Sequence, residues 1–353
     1  MLRKKIILLS LFIFVSASAS AQEIHKPEAY GVLKARFEND ATAGLNAFGI
    51  RNARLGFRGF ASDNIRYALQ VEIAPFGTIG VTDAYIGYRL GDFELVAGLQ
   101  SYGLSTEVSR GAGRNYFANR SFAAKFLTQY YMDGGEPALS SIGSRDLGAL
   151  VKYRYTNWLV PFEVSLGIFN GSGSGTPHFR NGFNMAARLD VGPNEGLGGS
   201  AGYYGGTSVF GESLDMWSAS LHYRTRKLHI EAEAGQRYQG PRGVGGDRDA
   251  ATVGVVYAFY RFFMPSGSFV KSISPILRFD TGDNIKFIDD SGRLDSFTAH
   301  RVTAGITIGL DEREFRSEIR LNYEHYFMKD EPSDYDANTL LHNKFIIEFF
   351  TAF

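Results

Sequence analysis

From residue 28 to residue 353 apolar and polar side chains alternate in short runs, and about sixteen such runs can be marked off. The clearest is Asn64 to Ala74. Ile65, Tyr67, Leu69, Val71 and Ile73 fall on one face, and Asn64, Arg66, Ala68, Gln70 and Glu72 on the other. A period of two puts successive side chains on opposite sides of an extended backbone, so each run predicts a strand with one apolar face. Eleven residues rising about 3.3 Å each, tilted by about 40°, cover roughly 25 Å, the height of the apolar band of a membrane-spanning barrel.

The runs predict strands near 28–37, 51–60, 64–74, 81–90, 93–101, 145–155, 159–169, 182–191, 198–206, 214–223, 228–238, 250–261, 272–281, 298–309, 316–327 and 341–352. Ser62-Asp63, Gly91-Asp92, Thr156-Asn157 and Thr225-Arg226 mark tight turns. Between them lie longer connections at 38–50, 102–144, 239–249, 282–297 and 328–340. Short turns on one rim, long loops on the other and an even strand count predict an all-β fold. It is a transmembrane antiparallel up-and-down barrel of about 16 strands, with its short turns in the periplasm and its long loops outside. A barrel of that size holds an aqueous channel. Pro161 and Pro275 fall inside two runs, where each removes a ladder donor and marks a bulge or a shifted register. A soluble sandwich alternates too, with its polar faces simply solvated, and stays open as an alternative.

A charge against hydrocarbon costs about 2 to 4 kcal/mol near the midplane, so the charged face of each strand should line the lumen. Among the cations this assigns Lys34, Arg36, Arg54, Arg58, Arg66, Arg89, Lys152 and Arg154 to the pore wall, and among the acids Glu72, Asp83 and Glu94. Later strands add Arg237, Arg278, Arg301, Arg320, Lys344, Asp280, Glu324 and Glu348. The cations crowd into the first half of the chain, so one side of the wall should be the more positive. The stretch 101–144 is too long for a plain connector. Its Arg110, Arg114, Arg120 and Lys125, set among Tyr116, Phe117, Phe122 and Phe126, could line a constriction if the aromatics anchor it against the inner wall. An external loop is the alternative.

Arg3, Lys4 and Lys5, the apolar run Ile6 to Val15 and Ala19-Ser20-Ala21 form an export signal, so residues 1–21 should be removed and 22–353 should form the barrel. No uninterrupted apolar run of helical spanning length follows. Gly (41), Phe (29) and Tyr (19) suit tight turns and aromatic girdles. Without cysteine there is no disulfide framework, thiolate metal site or cysteine nucleophile. Lys plus Arg and Asp plus Glu both number 37, so no basic excess points to nucleic acid, and any selectivity must come from where charges sit.

Arg51-Asn52-Ala53-Arg54-Leu55-Gly56-Phe57-Arg58-Gly59, Tyr67-Ala68-Leu69-Gln70-Val71-Glu72, Thr82-Asp83-Ala84-Tyr85-Ile86-Gly87-Tyr88 and Val96-Ala97-Gly98-Leu99-Gln100 together resemble the phosphate-selective porin O and P family. Phe117-Ala118-Asn119-Arg120-Ser121 sits where that family often has Phe-x-Glu-Arg-Ser, with Asn119 in place of the acid. The resemblance implies a homotrimeric sixteen-stranded porin in the bacterial outer membrane, among lipid and lipopolysaccharide, whose third loop folds inward. It implies passage of phosphate along a ladder that carries over onto Arg36, Arg54, Arg58, Arg114 and Arg120, with Glu72 and Asp83 interleaved. The expected function is passive diffusion of small hydrophilic solutes, mildly favouring anions and including phosphate. A plugged adhesion or scaffold barrel and a periplasmic sugar-binding sandwich are the alternatives.

No catalytic, metal or cofactor site is expected. Asp280-Thr281-Gly282 copies an aspartic-protease triplet, but no second copy supplies the partner carboxylate. The seven histidines show no His-Glu-x-x-His, and Gly243-Val244-Gly245-Gly246 lacks the Lys-Ser/Thr of a phosphate loop. The acidic stretches at Asp289-Asp290 and Asp330 to Asp336 could take calcium, although the full loop spacing is missing.

Overall fold

Sixteen antiparallel strands close into one barrel in the computed structural model, which describes residues 26–74, 79–128, 131–132, 144–157, 159–173, 182–207, 213–240, 249–288, 294–329 and 341–353. The strands are β1 (Glu28–Asp40), β2 (Leu45–Ser62), β3 (Ile65–Glu72), β4 (Gly80–Leu90), β5 (Phe93–Gln100), β6 (Asp146–Tyr155), β7 (Phe162–Phe169) and β8 (Asn184–Val191). They continue as β9 (Gly196–Thr207), β10 (Ser213–Arg224), β11 (Leu228–Gly240), β12 (Asp249–Tyr260), β13 (Ser272–Ile288), β14 (Leu294–Gly309), β15 (Ser317–Lys329) and β16 (Lys344–Ala352). Each pairs with its neighbours in sequence, and β16 returns to β1 from Val32↔Ala352 to Asp40↔Lys344. Closure leaves no open edge, as a lipid-embedded sheet requires. At the seam Gly31 and Phe353 exchange two backbone hydrogen bonds, of 3.0 and 3.2 Å. A side chain at Gly31 would meet the Phe353 ring at 2.4 Å, so the seam needs glycine there.

The outward face is apolar, with Leu33, Leu55, Leu69, Leu95, Leu166, Leu221, Leu277 and Ile306 all exposed. Tyr88, Phe93, Tyr223 and Phe262 ring the short-turn rim, and Tyr203, Trp217, Phe327 and Phe345 the other, which gives the two aromatic girdles of a membrane barrel. Among the described residues no helix is long and apolar enough to cross a membrane.

Three expectations need correction. The stretch 38–50 is not a loop but the end of β1, a four-residue turn and the start of β2. Residues 45–50 are exposed on both faces, so this hairpin continues beyond the lipid band, where alternation is no longer required. For the same reason the connections at 239–249 and 282–297 shrink as β11, β13 and β14 run on. The long third connection contains helix after all, as set out below. Pro275 sits inside β13 where the ladder to the β12 side lapses, between Phe259↔Ile276 and Phe262↔Ile273, as a residue without an N–H dictates. Pro161 lies just ahead of β7. The leader and the acidic stretches at 289–290 and 330–336 lie outside the described residues.

Candidate functional site: an inward segment and the passage beside it

The connection after β5 turns into the barrel. It forms α1 (Thr106–Ser109), a 3-10 turn (Ala112–Arg114) and α2 (Phe122–Phe126). Ser105 and Ser121 cap the two helices, accepting from the Val108 and Ala124 N–H at 3.0 and 3.1 Å. Tyr102, Leu104, Val108, Phe117, Phe122, Phe126 and Leu127 are buried against inward-facing Tyr204, Leu214, Met216, Val253, Val255, Tyr257 and Phe297. One half of the lumen is therefore an apolar core. Gly202 allows the closest approach, since a Cβ there would stand 1.9 Å from the Leu104 carbonyl oxygen.

Polar wall groups fasten the same segment. Glu233 accepts from the Glu107 N–H at 3.0 Å and from the Ser105 and Ser218 hydroxyls. Arg237 donates to the Leu127 carbonyl at 2.7 Å, and Asn322 accepts from the Ala118 N–H at 2.8 Å. From below, the turn 310–316 reaches in, and Phe315 (φ 56) rests on Tyr116 at 4.9 Å.

Beside this segment lies a cavity of about 380 Å³, bounded by β1, β2 and β3 and reached by Arg301 of β14, Tyr326 of β15 and Lys344 of β16. Its lining includes Lys34, Arg36, Arg51, Arg54, Arg120, Lys125, Arg301 and Lys344 but only two acids, Glu38 and Glu72. Several of these cations are paired: Arg54 with Glu72 at 2.6 Å, Arg36 with Glu38 at 2.8 Å, Lys344 with Glu38 at 3.1 Å and Lys34 with Glu348 at 3.7 Å. Asp280, Glu318, Glu324 and Glu348 stand just behind the wall and also hold Arg278 and Arg320. With all of these included, the described residues place ten cations against six carboxylates, and Arg51 and Lys125 have further interactions of their own. Arg120 donates to the Arg110 carbonyl at 2.9 Å, and among the described residues no carboxylate makes an ion pair with it. Burial and the nearby guanidinium groups of Arg54, Arg145 and Arg51 push it down to about 10, so it keeps its charge at neutral pH.

The other residues singled out by sequence lie elsewhere. Arg58 pairs with Glu28 at 2.8 Å near the strand ends and is exposed. Arg66 and Arg89 converge on Glu94, and Lys152 and Arg154 on Glu163, along the short-turn half of β3 to β7. Asp83 holds Arg145 at 2.8 Å. Of the four cations on the inward segment, Arg120 and Lys125 line the cavity. Arg110 is instead locked between Glu107, Glu231 and the Tyr257 hydroxyl, and Arg114 is exposed outside the lining. Arg51 and Glu38 were not singled out as wall residues. The β1–β2 register shifts between Lys34↔Asn52 and Ala35↔Ile50, so Arg51 is the extra residue of a β-bulge and joins Asn52 and Arg54 at the cavity.

No family model and no curated protein sequence matches the chain. Solved structures do. The anion-selective porin from Comamonas acidovorans is 15% identical at a TM-score of 0.62, over 93% of this chain and 100% of that one. Salmonella typhi OmpF, in complex with daunomycin, is 16% identical at 0.63, over 94% and 98%. OmpT of Vibrio cholerae, an outer membrane protein in its trimer form, is 14% identical at 0.60, over 94% and 100%. At such identities the likeness is one of fold, and the fold is that of the outer-membrane porins. A closed barrel of this fold, with an apolar outer band between two aromatic girdles, is a protein of the bacterial outer membrane.

Proposed function

We propose that the protein is a passive diffusion channel for small hydrophilic solutes that favours anions, with phosphate among the anions it passes. The observation that carries this reading is the excess of cations around the cavity between the inward segment and β1 to β3. A solute crossing there meets fixed charge at short range. Rings of one sign then raise the local concentration of the opposite ion without trapping it. The residues proposed to act on the solute are Lys34, Arg36, Arg51, Arg54, Arg120 and Lys125. Arg58, Arg66, Arg89, Lys152 and Arg154, opposed by Glu28, Glu94 and Glu163, extend the cation excess toward the short-turn rim. A homotrimer set among outer-membrane lipid and lipopolysaccharide, after removal of residues 1–21, completes the proposal. The test is swelling of proteoliposomes in solutes of matched size. Anionic solutes should enter faster than neutral ones, and neutral faster than cationic. Equal rates for all three would remove the selectivity.

One observation favours a second reading, a plugged scaffold barrel: the aromatic core that fills half of the lumen. On that reading no solute enters at all.

A further inference from the structure

The triplet Asp280-Thr281-Gly282 has no protease partner, yet its aspartate is fully buried at the point where the inward segment meets the wall. Its Oδ1 accepts the Phe122 N–H at 2.9 Å, at the first residue of α2. Its Oδ2 accepts from Arg301 Nε at 2.9 Å and stands 2.8 Å from Arg278 Nε, an ion pair without hydrogen-bond alignment. Those two guanidiniums in turn donate to the segment, Arg278 to the Asn119 carbonyl at 2.9 Å and Arg301 to the Arg120 carbonyl at 2.7 Å. They also stack on its rings, Arg278 over Phe117 at 4.3 Å and Arg301 over Phe122 at 4.8 Å.

We infer that Asp280 is the positioning residue that sets the bore: one carboxylate orients two arginines and one helix start, and so holds residues 117–122 at the passage. The reason is electrostatic as well as geometric. Asp280 and Glu324 balance Arg278 and Arg301 in a buried set, and removing one acid leaves a cation uncompensated there. That cation is better served by water, which enters as the segment lifts away. The inference deepens the channel reading and rests on it for the conductance readout.

The test is Asp280→Asn in the full-length protein, with folding checked by heat-dependent migration on gels. The expected results are trypsin cleavage after Arg120 and Lys125, which are protected in the parent, and a single-channel conductance about twofold larger as the constriction widens. Phe122→Pro provides a second variant that leaves the barrel wall intact. Proline is tolerated at the first position of a helix, and here it removes the N–H that Asp280 accepts together with the ring that packs on Arg301, Phe126 and Tyr326. It should reproduce both effects. A folded Asp280→Asn protein with a protected segment overturns the inference, as does cleavage in a conducting variant whose conductance equals that of the parent. If neither protein conducts, the channel reading fails, while trypsin still reports whether Asp280 holds the segment.

Discussion

Replacing Arg120 with glutamate puts the charge argument to a quantitative test. Arg120 lines the passage without a carboxylate partner among the described residues, so its field is not cancelled locally. For an ion about 7 Å away in water, one unit charge contributes roughly 0.6 kcal/mol. A screening length of about 10 Å at 0.1 M salt roughly halves that. Exchanging a positive for a negative charge doubles the change and acts with opposite sign on anion and cation. The anion-to-cation permeability ratio should therefore fall by about 1.2 kcal/mol, roughly eightfold. The assay is the zero-current potential in a planar bilayer under a salt gradient. Arg114→Glu is the control, because Arg114 lies outside the lining and should move the ratio far less. An Arg120→Glu channel whose ratio stays within about twofold of the parent would refute the placement of the guanidinium at the ion path.

Three further expectations follow. Glu94→Gln frees Arg66 and Arg89 from their shared carboxylate and should raise anion preference roughly twofold at 0.1 M salt, read by the same potential. Gly202→Val drives a side chain into the Leu104 carbonyl and should destabilise the folded barrel by about 1 to 3 kcal/mol, measured by urea unfolding in detergent; unchanged stability would mean the segment does not rest on β9. Raising salt from about 0.1 to 1 M shortens the screening length to about 3 Å, so the parent's permeability ratio should approach unity. A ratio independent of salt would point to size rather than charge.

The barrel was legible because hydrocarbon enforces the signal. Leu69 must face out and Gln70 in, and no other arrangement of β3 avoids a polar group in lipid. Where the strands leave lipid the signal stops, and β2 was therefore read as starting at 51 although it begins at Leu45. The bulge at Arg51 breaks the period of two, so strict alternation turns that side chain outward when it lies at the passage. The half of the wall under the inward segment was the hardest to read. Alternation assigns Arg278, Asp280, Arg301 and Glu324 to the lumen, but it carries no information on what fills the lumen there; the first three bind backbone of the inward segment and Glu324 accepts from the Asn119 side chain. A clue did exist in Ser105 and Ser121, each three residues ahead of an N–H that its side chain caps.

On the proposed reading, a water-filled, cation-lined passage between the inward segment and β1 to β3 makes the barrel an anion-favouring channel. Recording from the purified parent protein in a planar bilayer addresses it most directly. Stepwise conductance with a zero-current potential of the sign set by anion flow is the predicted result. A silent bilayer, or a potential of the opposite sign, would contradict it.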